Sequence, residues 1–321
     1  MDLVDNGHSL MSNELGSALV RAMLRTFDLL IYEASNPTTA RRFLDLLKQN
    51  SHISRYFNTW KSESIIAYAN LLHNEAILLK NLDNDYETAK NLLEESLRVT
   101  QTAHPRESNE VAQCFHSLGD HLLLRNPVDE EGYRLLVLAF TMYKNLGVKN
   151  IDVVKVLMAM AYVYRNRCSF SEAEDKLQLA LGIAIEVDPK GQSVINAYNA
   201  LGVLCKSRGD MIKALEHFKN ALAVIESAEG SIFKRTIDHA RILNNMADVQ
   251  LTCSDPRTCP NDVAYNNYIL VQEIETEFYG DSPDCGFYEK LNTFRNLIKS
   301  CPTRRGGRSL SKSHGVSFVG C

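Results

Sequence analysis

Residues 196–222 read NAYNALGVLCKSRGDMIKALEHFKNAL, and the order of small and large residues within them decides the fold. Leu201-Gly202 is followed by a break at Gly209-Asp210, and then by Ala214, Phe218 and Ala221. Gly209 can end one helix and Asp210 can cap the start of the next. Small residues at Gly202 and Ala214 let two antiparallel helices approach closely, while Phe218, one turn past Ala214, fills the space between them. A single pair of this kind leaves an apolar face uncovered, so it must stack on others.

The chain supplies the others. In first helices the equivalent position holds Ile77 (an imperfect case), Gly119, Ala161, Gly202 and Ala247, at spacings of 42, 42, 41 and 45. In second helices Ala89, Gly132, Ala173, Ala214 and Ala264 repeat at 43, 41, 41 and 50, each answered by Leu93, Leu136, Leu177, Phe218 or Tyr268. Asp85, Asp129 and Asp210 stand where second helices need N-caps, and Asn36-Pro37 and Ser282-Pro283 join an N-cap to a proline at the first helical position. The expectation is an all-α superhelical solenoid over 62–300, with helix pairs near 62–102, 108–146, 150–187, 190–228 and 231–279. A capping helix over 284–299 closes it, since Arg295 at the small-residue position bars a closely packed successor. Residues 1–61 are expected to form a helical N-terminal cap or a linker region, with amphipathic helices over 14–34 and 37–50.

The Leu-Gly…Ala-x₃-Phe…Ala frame resembles the tetratricopeptide repeat, which implies a right-handed superhelix with a concave inner wall. A period near 42 is longer than is usual for that repeat and resembles the kinesin light chain type, whose first helices read L-N-N-L-A and whose linkers read G-x-D-H-P-D-V-A. LNNMA (243–247), YGDSPDCGFYEKLN (279–292) and, more loosely, HPRESNEVA (104–112) carry this resemblance. No heptad region of the sort kinesin light chains use for pairing is visible. The same repeat type follows the ATPase module of STAND signalling proteins and occurs in nephrocystin-like proteins. The anchors Phe43-Leu44, Tyr56-Phe57, Trp60 and Ile65-Ile66 resemble the segment joining that ATPase module to its repeats, a simple helical cap being the alternative. No GxxxxGK[ST] occurs, so this chain is not expected to bind a nucleotide in P-loop fashion.

Function is expected on the inner wall. Asn74, His116, Met158, Asn199, Asn244 and Asn292 share one inward position of the first helices. Four of these six are asparagines, whose amides both donate and accept and so suit the backbone of an extended peptide. Groove asparagines in kinesin-light-chain-like repeats act this way, so the resemblance implies the same role. The competing use of an interior asparagine is to bond a neighbouring helix and set its register. Asn245 turns towards the same wall but has no counterparts in the other repeats. Lys155, Tyr162, Arg165, Lys206 and Arg241 add a basic and aromatic band, which suits a ligand with acidic residues flanking an apolar anchor. The expected function is a non-enzymatic scaffold or adaptor for a peptide or protein. The alternatives are a regulatory repeat arm of a STAND-type ATPase and a kinesin light chain-like cargo adaptor.

Other classes are disfavoured. The net charge of −4 divides into a basic tail, with Arg304, Arg305, Arg308 and Lys312, and a body of −8 over residues 1–301, which gives no reason to expect nucleic-acid binding. Neither HExxH nor GxSxG is present, and His116 and His121, five apart, do not share a helix face as metal ligands would. Cys114 and Cys205 fall in apolar helical patterns, and Cys253 and Cys259 could pair but have no second ligand pair, so no metal or cofactor is expected. An acidic N-terminus and the lack of 18 consecutive apolar residues point to a cytoplasmic chain without membrane insertion. The tail, 301–321, has the composition of a disordered segment. Arg308 precedes Ser311 by three residues, as in a basophilic kinase site, and phosphorylated Ser311 would resemble a 14-3-3 motif; alternatively the tail rests on the acidic body and fills the groove. Cys321 forms no CaaX box.

Overall fold

A computed structural model describes residues 18, 22, 37–49, 62–104, 106–227, 236–252 and 261–279. They lie in the first of two compact units, Met1–Ser282; the second, Pro283–Cys321, falls outside the described residues, and with it the expected capping helix over 284–299, Asn292 and Ser311. Most of the expected 14–34 helix and residues 50–61 fall outside them as well.

Among the described residues there are eleven α-helices and no strand. Ahead of the pairs comes α1 (Pro37–Gln49). The first helices of successive pairs are α2 (Ser62–Leu78), α4 (Asn109–Arg125), α6 (Ile151–Asn166), α8 (Gln192–Arg208) and α10 (Ile237–Thr252). Their partners are α3 (Tyr86–Ala103), α5 (Glu130–Asn145), α7 (Phe170–Val187), α9 (Met211–Ser227) and α11 (Asn261–Tyr279). Each first helix packs most extensively on its own partner, and each second helix packs in turn on the next first helix, which is solenoid order.

The small residues do what their spacing implies. A Cβ added at Gly119 would lie 2.9 Å from the Gly132 carbonyl oxygen, and one added at Gly202 would lie 2.4 Å from the Phe218 ring. Leu93, Leu136, Leu177, Phe218 and Tyr268, the large residues one turn on, are all buried. Asp85, Asp129 and Asp210 each accept a backbone N–H three residues ahead, from Thr88, Gly132 and Lys213, at 3.1, 2.8 and 3.2 Å. Gly209 takes the left-handed conformation, with φ of 88°, that ends α8.

The first pair departs from the expected register. Ile77 is exposed, and the neighbouring Ala76, 1% exposed, takes the close position against Ala89 and Leu93. Ala76 precedes Ala89 by 13 residues, as Gly119 precedes Gly132, whereas Ile77 matches the 12-residue separation of the third and fourth pairs. A π-helical turn, Leu79–Asp83, takes up the additional residue before Asn84 turns left-handed at φ 53°. Leu44 of α1 is fully buried in the same cluster, and Arg41 and Lys48 of α1 pair with Asp83, so α1 covers the N-terminal end of the stack.

Candidate functional site

Each first helix has three uses for its surface. One face carries the small residue against its partner, and a second meets the second helix of the preceding pair. The third is left for the inner wall, where positions three and four apart line up. On α6 that third face is Lys155, Met158 and Tyr162, which with His116 and Asp120 of α4 and Asn196 of α8 border a cavity of about 730 Å³. Leu123, Val154 and Ala159 give it an apolar floor. Lys155 is bound to Asp152 of its own helix at 3.2 Å, and the Arg165 guanidinium lies 5.0 Å from the centre of the Tyr162 ring.

Four of the expected groove residues, His116, Lys155, Met158 and Tyr162, thus border one cavity. Four others lie on the seam between α8 and α10. Asn245 donates its amide to Asn199 Oδ1 at 2.9 Å, and Asn199 is 9% exposed. Arg241 donates to Asn196 Oδ1 at 3.0 Å and pairs with Asp238 at 2.6 Å. Lys206 meets Asp248 at 3.0 Å, and Gln192 adds a bond to Asp238 at 2.8 Å. This seam is the geometry in which interior asparagines set the register of neighbouring helices. Asn74 and Asn244 are half-buried and do not border this cavity.

Sequence reasoning passed over several inner-wall residues. Gln113 and Asn196 share the position of the expected Lys155 and Arg241, the four recurring at 42, 41 and 45, the spacing of the frame itself, one turn before the asparagine row. Asn70 and His73, each 43 residues before Gln113 and His116, line a second cavity of about 480 Å³ with them. The one-residue register shift in α2 explains why His73 and not Asn74 stands there. This second cavity shares His116 and Lys155 with the first, so the two meet at that pair.

Burial governs the titration of this wall. It lowers the His73 pKa to about 4, with smaller contributions from His116, Lys80 and Lys155, so the ring is neutral at neutral pH. Burial also pushes the Cys114 thiol up. The His116 Nε2 is buried and lies 3.2 Å from Asp120 Oδ2, out of line for a hydrogen bond. His121 belongs elsewhere: it is buried, with Nε2 donating to the Tyr86 carbonyl at 2.8 Å, which ties α4 to α3. Among the described residues no cluster of three or more His, Cys, Asp or Glu could hold a metal ion, and no helix is long and apolar enough to cross a membrane.

Residues 152–227, which span α6 to α9, match the family model described as tetratricopeptide repeat. The match covers the third and fourth helix pairs. Solved structures agree at the level of fold. BtubC (BKLC) from P. vanneervenii is 18% identical over 87% of this chain and 98% of its own, with a TM-score of 0.55. A Rap protein complexed with competence and sporulation factor is 14% identical over 92% of this chain and 87% of its own, at 0.56. A signal transduction ATPase with numerous domains (STAND) from Pyrococcus horikoshii, described as having a tetratricopeptide repeat sensor, is 15% identical over 90% of this chain and 39% of its own, at 0.53. No curated protein sequence matches the chain significantly.

Proposed function

We propose that the repeats form a non-catalytic scaffold that captures an extended segment of a peptide or protein along the inner wall of α4, α6 and α8. The observation that carries this reading is the cavity of about 730 Å³ spanning three successive first helices, apolar at its floor and polar around it. Met158, which lines it with Tyr162 and His116, is an adaptable apolar contact for a side-chain anchor. Two structures of like fold support it through their contents: the Rap protein holds competence and sporulation factor, and NprR holds its cognate peptide NprX.

The reading narrows the expected ligand. Lys206 and Arg241 are each matched by an aspartate on the α8–α10 seam and Lys155 by Asp152 on its own helix, so any acidic preference of this cavity rests on Lys80. LNNMA and the 41–45 spacing favour the kinesin light chain type of repeat and, with it, an adaptor role. The test is selection from a random peptide library on immobilised protein. Peptides selected by the wild type are expected to lose binding to Met158→Arg and to keep it for Ile212→Arg, which alters an exposed site on α9. Equal binding to both folded variants would remove the assignment.

A further inference from the structure

The second cavity, between α2, α3, α4 and α6, holds an unbalanced set of polar groups. Asp152 has a partner on each oxygen, one facing the Lys155 ammonium at 3.2 Å and the other accepting the Gln113 amide at 2.7 Å. Lys155 is neutralised by the same contact. Glu110 differs. Its side chain is 45% exposed, and its one ion-pair partner among the described residues is His104, Nδ1 to Oε2 at 3.4 Å. With the His104 proton on Nδ1, towards Glu110, Nε2 presents a lone pair, and that nitrogen is buried without a hydrogen-bond partner.

Neighbouring groups tilt the balance the same way. Asn109 Oδ1, beside Glu110 on α4, is a second buried acceptor without a donor. Tyr143 is wholly buried, and after burial itself the carboxylates Asp152 and Glu110, which line the cavity, are among the influences raising its pKa. His73 is neutral and adds no positive charge. Glu110 thus has no full counter-charge, and buried acceptors beside it are costly to leave unmatched.

We propose that this cavity receives a cationic, donor-rich group of the bound peptide, a Lys or Arg side chain or the amino terminus, with Glu110 as counter-ion and His104 Nε2 as acceptor. The proposal rests on the peptide-groove reading above and adds the ligand's chemistry: a basic group reaching past His116 from an apolar anchor over Met158. It runs opposite to a ligand rich in acidic residues. A guanidinium suits the site because its several N–H donors can meet a carboxylate and an imidazole together.

A positional-scanning library of short peptides, with free and with acetylated amino termini, tests this on the immobilised full-length protein. Enrichment of Lys and Arg over Asp and Glu, or of free over acetylated termini, is expected and distinguishes the two sources of the charge. Glu110→Gln is expected to weaken capture of the enriched peptides about tenfold, and His104→Phe to weaken it less, with helicity by circular dichroism unchanged in both. Enrichment of acidic residues, or a basic preference that survives Glu110→Gln, overturns the proposal. Capture through apolar residues with no charge preference overturns it while leaving the peptide groove standing, and failure to capture any peptide removes both.

Discussion

Gly119 and Gly182 are both helical glycines with opposite surroundings. A methyl group at Gly119 would press on the Gly132 backbone oxygen at 2.9 Å, which cannot move without shifting α5, whereas one at Gly182 meets nothing within 4 Å. Gly119→Ala is therefore expected to destabilise by about 1–3 kcal/mol, as overpacking does. Gly182→Ala should stabilise by about 0.5–1 kcal/mol, the ordinary gain from removing a mid-helix glycine. Urea denaturation followed by far-UV circular dichroism reads both, and like signs would contradict the packing described. Residues of the first kind were legible from spacing alone, because only one residue size fits a close helix contact. The asparagines were less legible. Asn199 and Asn245 occupy positions a frame can name, but their bond at 2.9 Å depends on how far α8 and α10 are offset, which no spacing encodes. Asn245→Ala leaves the buried Asn199 oxygen without that donor and should cost about 1–3 kcal/mol in the same assay; an unchanged midpoint would mean that the bond does not hold the seam.

At the scale of the element, α2 shows where repeat logic gives way. Its π-helical turn, Leu79–Asp83, moves the inward position from Asn74 to His73, a displacement that pattern matching at a period of 42 cannot register. The shift has a consequence for pH dependence. His73 has its pKa lowered by burial from 6.5 to about 4, so the unfolded chain binds this proton more readily than the folded one. Stability is complete above the unfolded value and falls as the pH drops from 6.5 towards 4, by up to roughly 1.4 kcal/mol per pH unit. His121 and His217, also lowered by burial, act in the same direction. Glu75 of α2 opposes them, since its raised pKa favours the folded state on acidification. The thermal midpoint of the wild type is expected to fall between neutral and mildly acidic pH, and His73→Phe to flatten that limb. An unaltered limb would place the burial of His73 in doubt.

Over the whole of the first unit, the order of pairs and the choice of inner helices followed from the recurrence of small residues, because a solenoid repeats one packing solution. What the wall offers a ligand did not follow as directly. Lys206 and Arg241 look available in the sequence and are matched by Asp248 and Asp238 in the structure, while Asn196, Asp120 and His73 were overlooked and border the cavities. Charges on neighbouring first helices decide which groups stay free, and that pairing is tertiary. The proposed binding surface is the inner wall of α4, α6 and α8. Its most direct test is hydrogen–deuterium exchange of the full-length protein with and without a library-selected peptide. Added protection concentrated in 109–125, 151–166 and 192–208 is the expected result. Protection confined to 130–145, 170–187 and 211–227, the outer helices α5, α7 and α9, would contradict it.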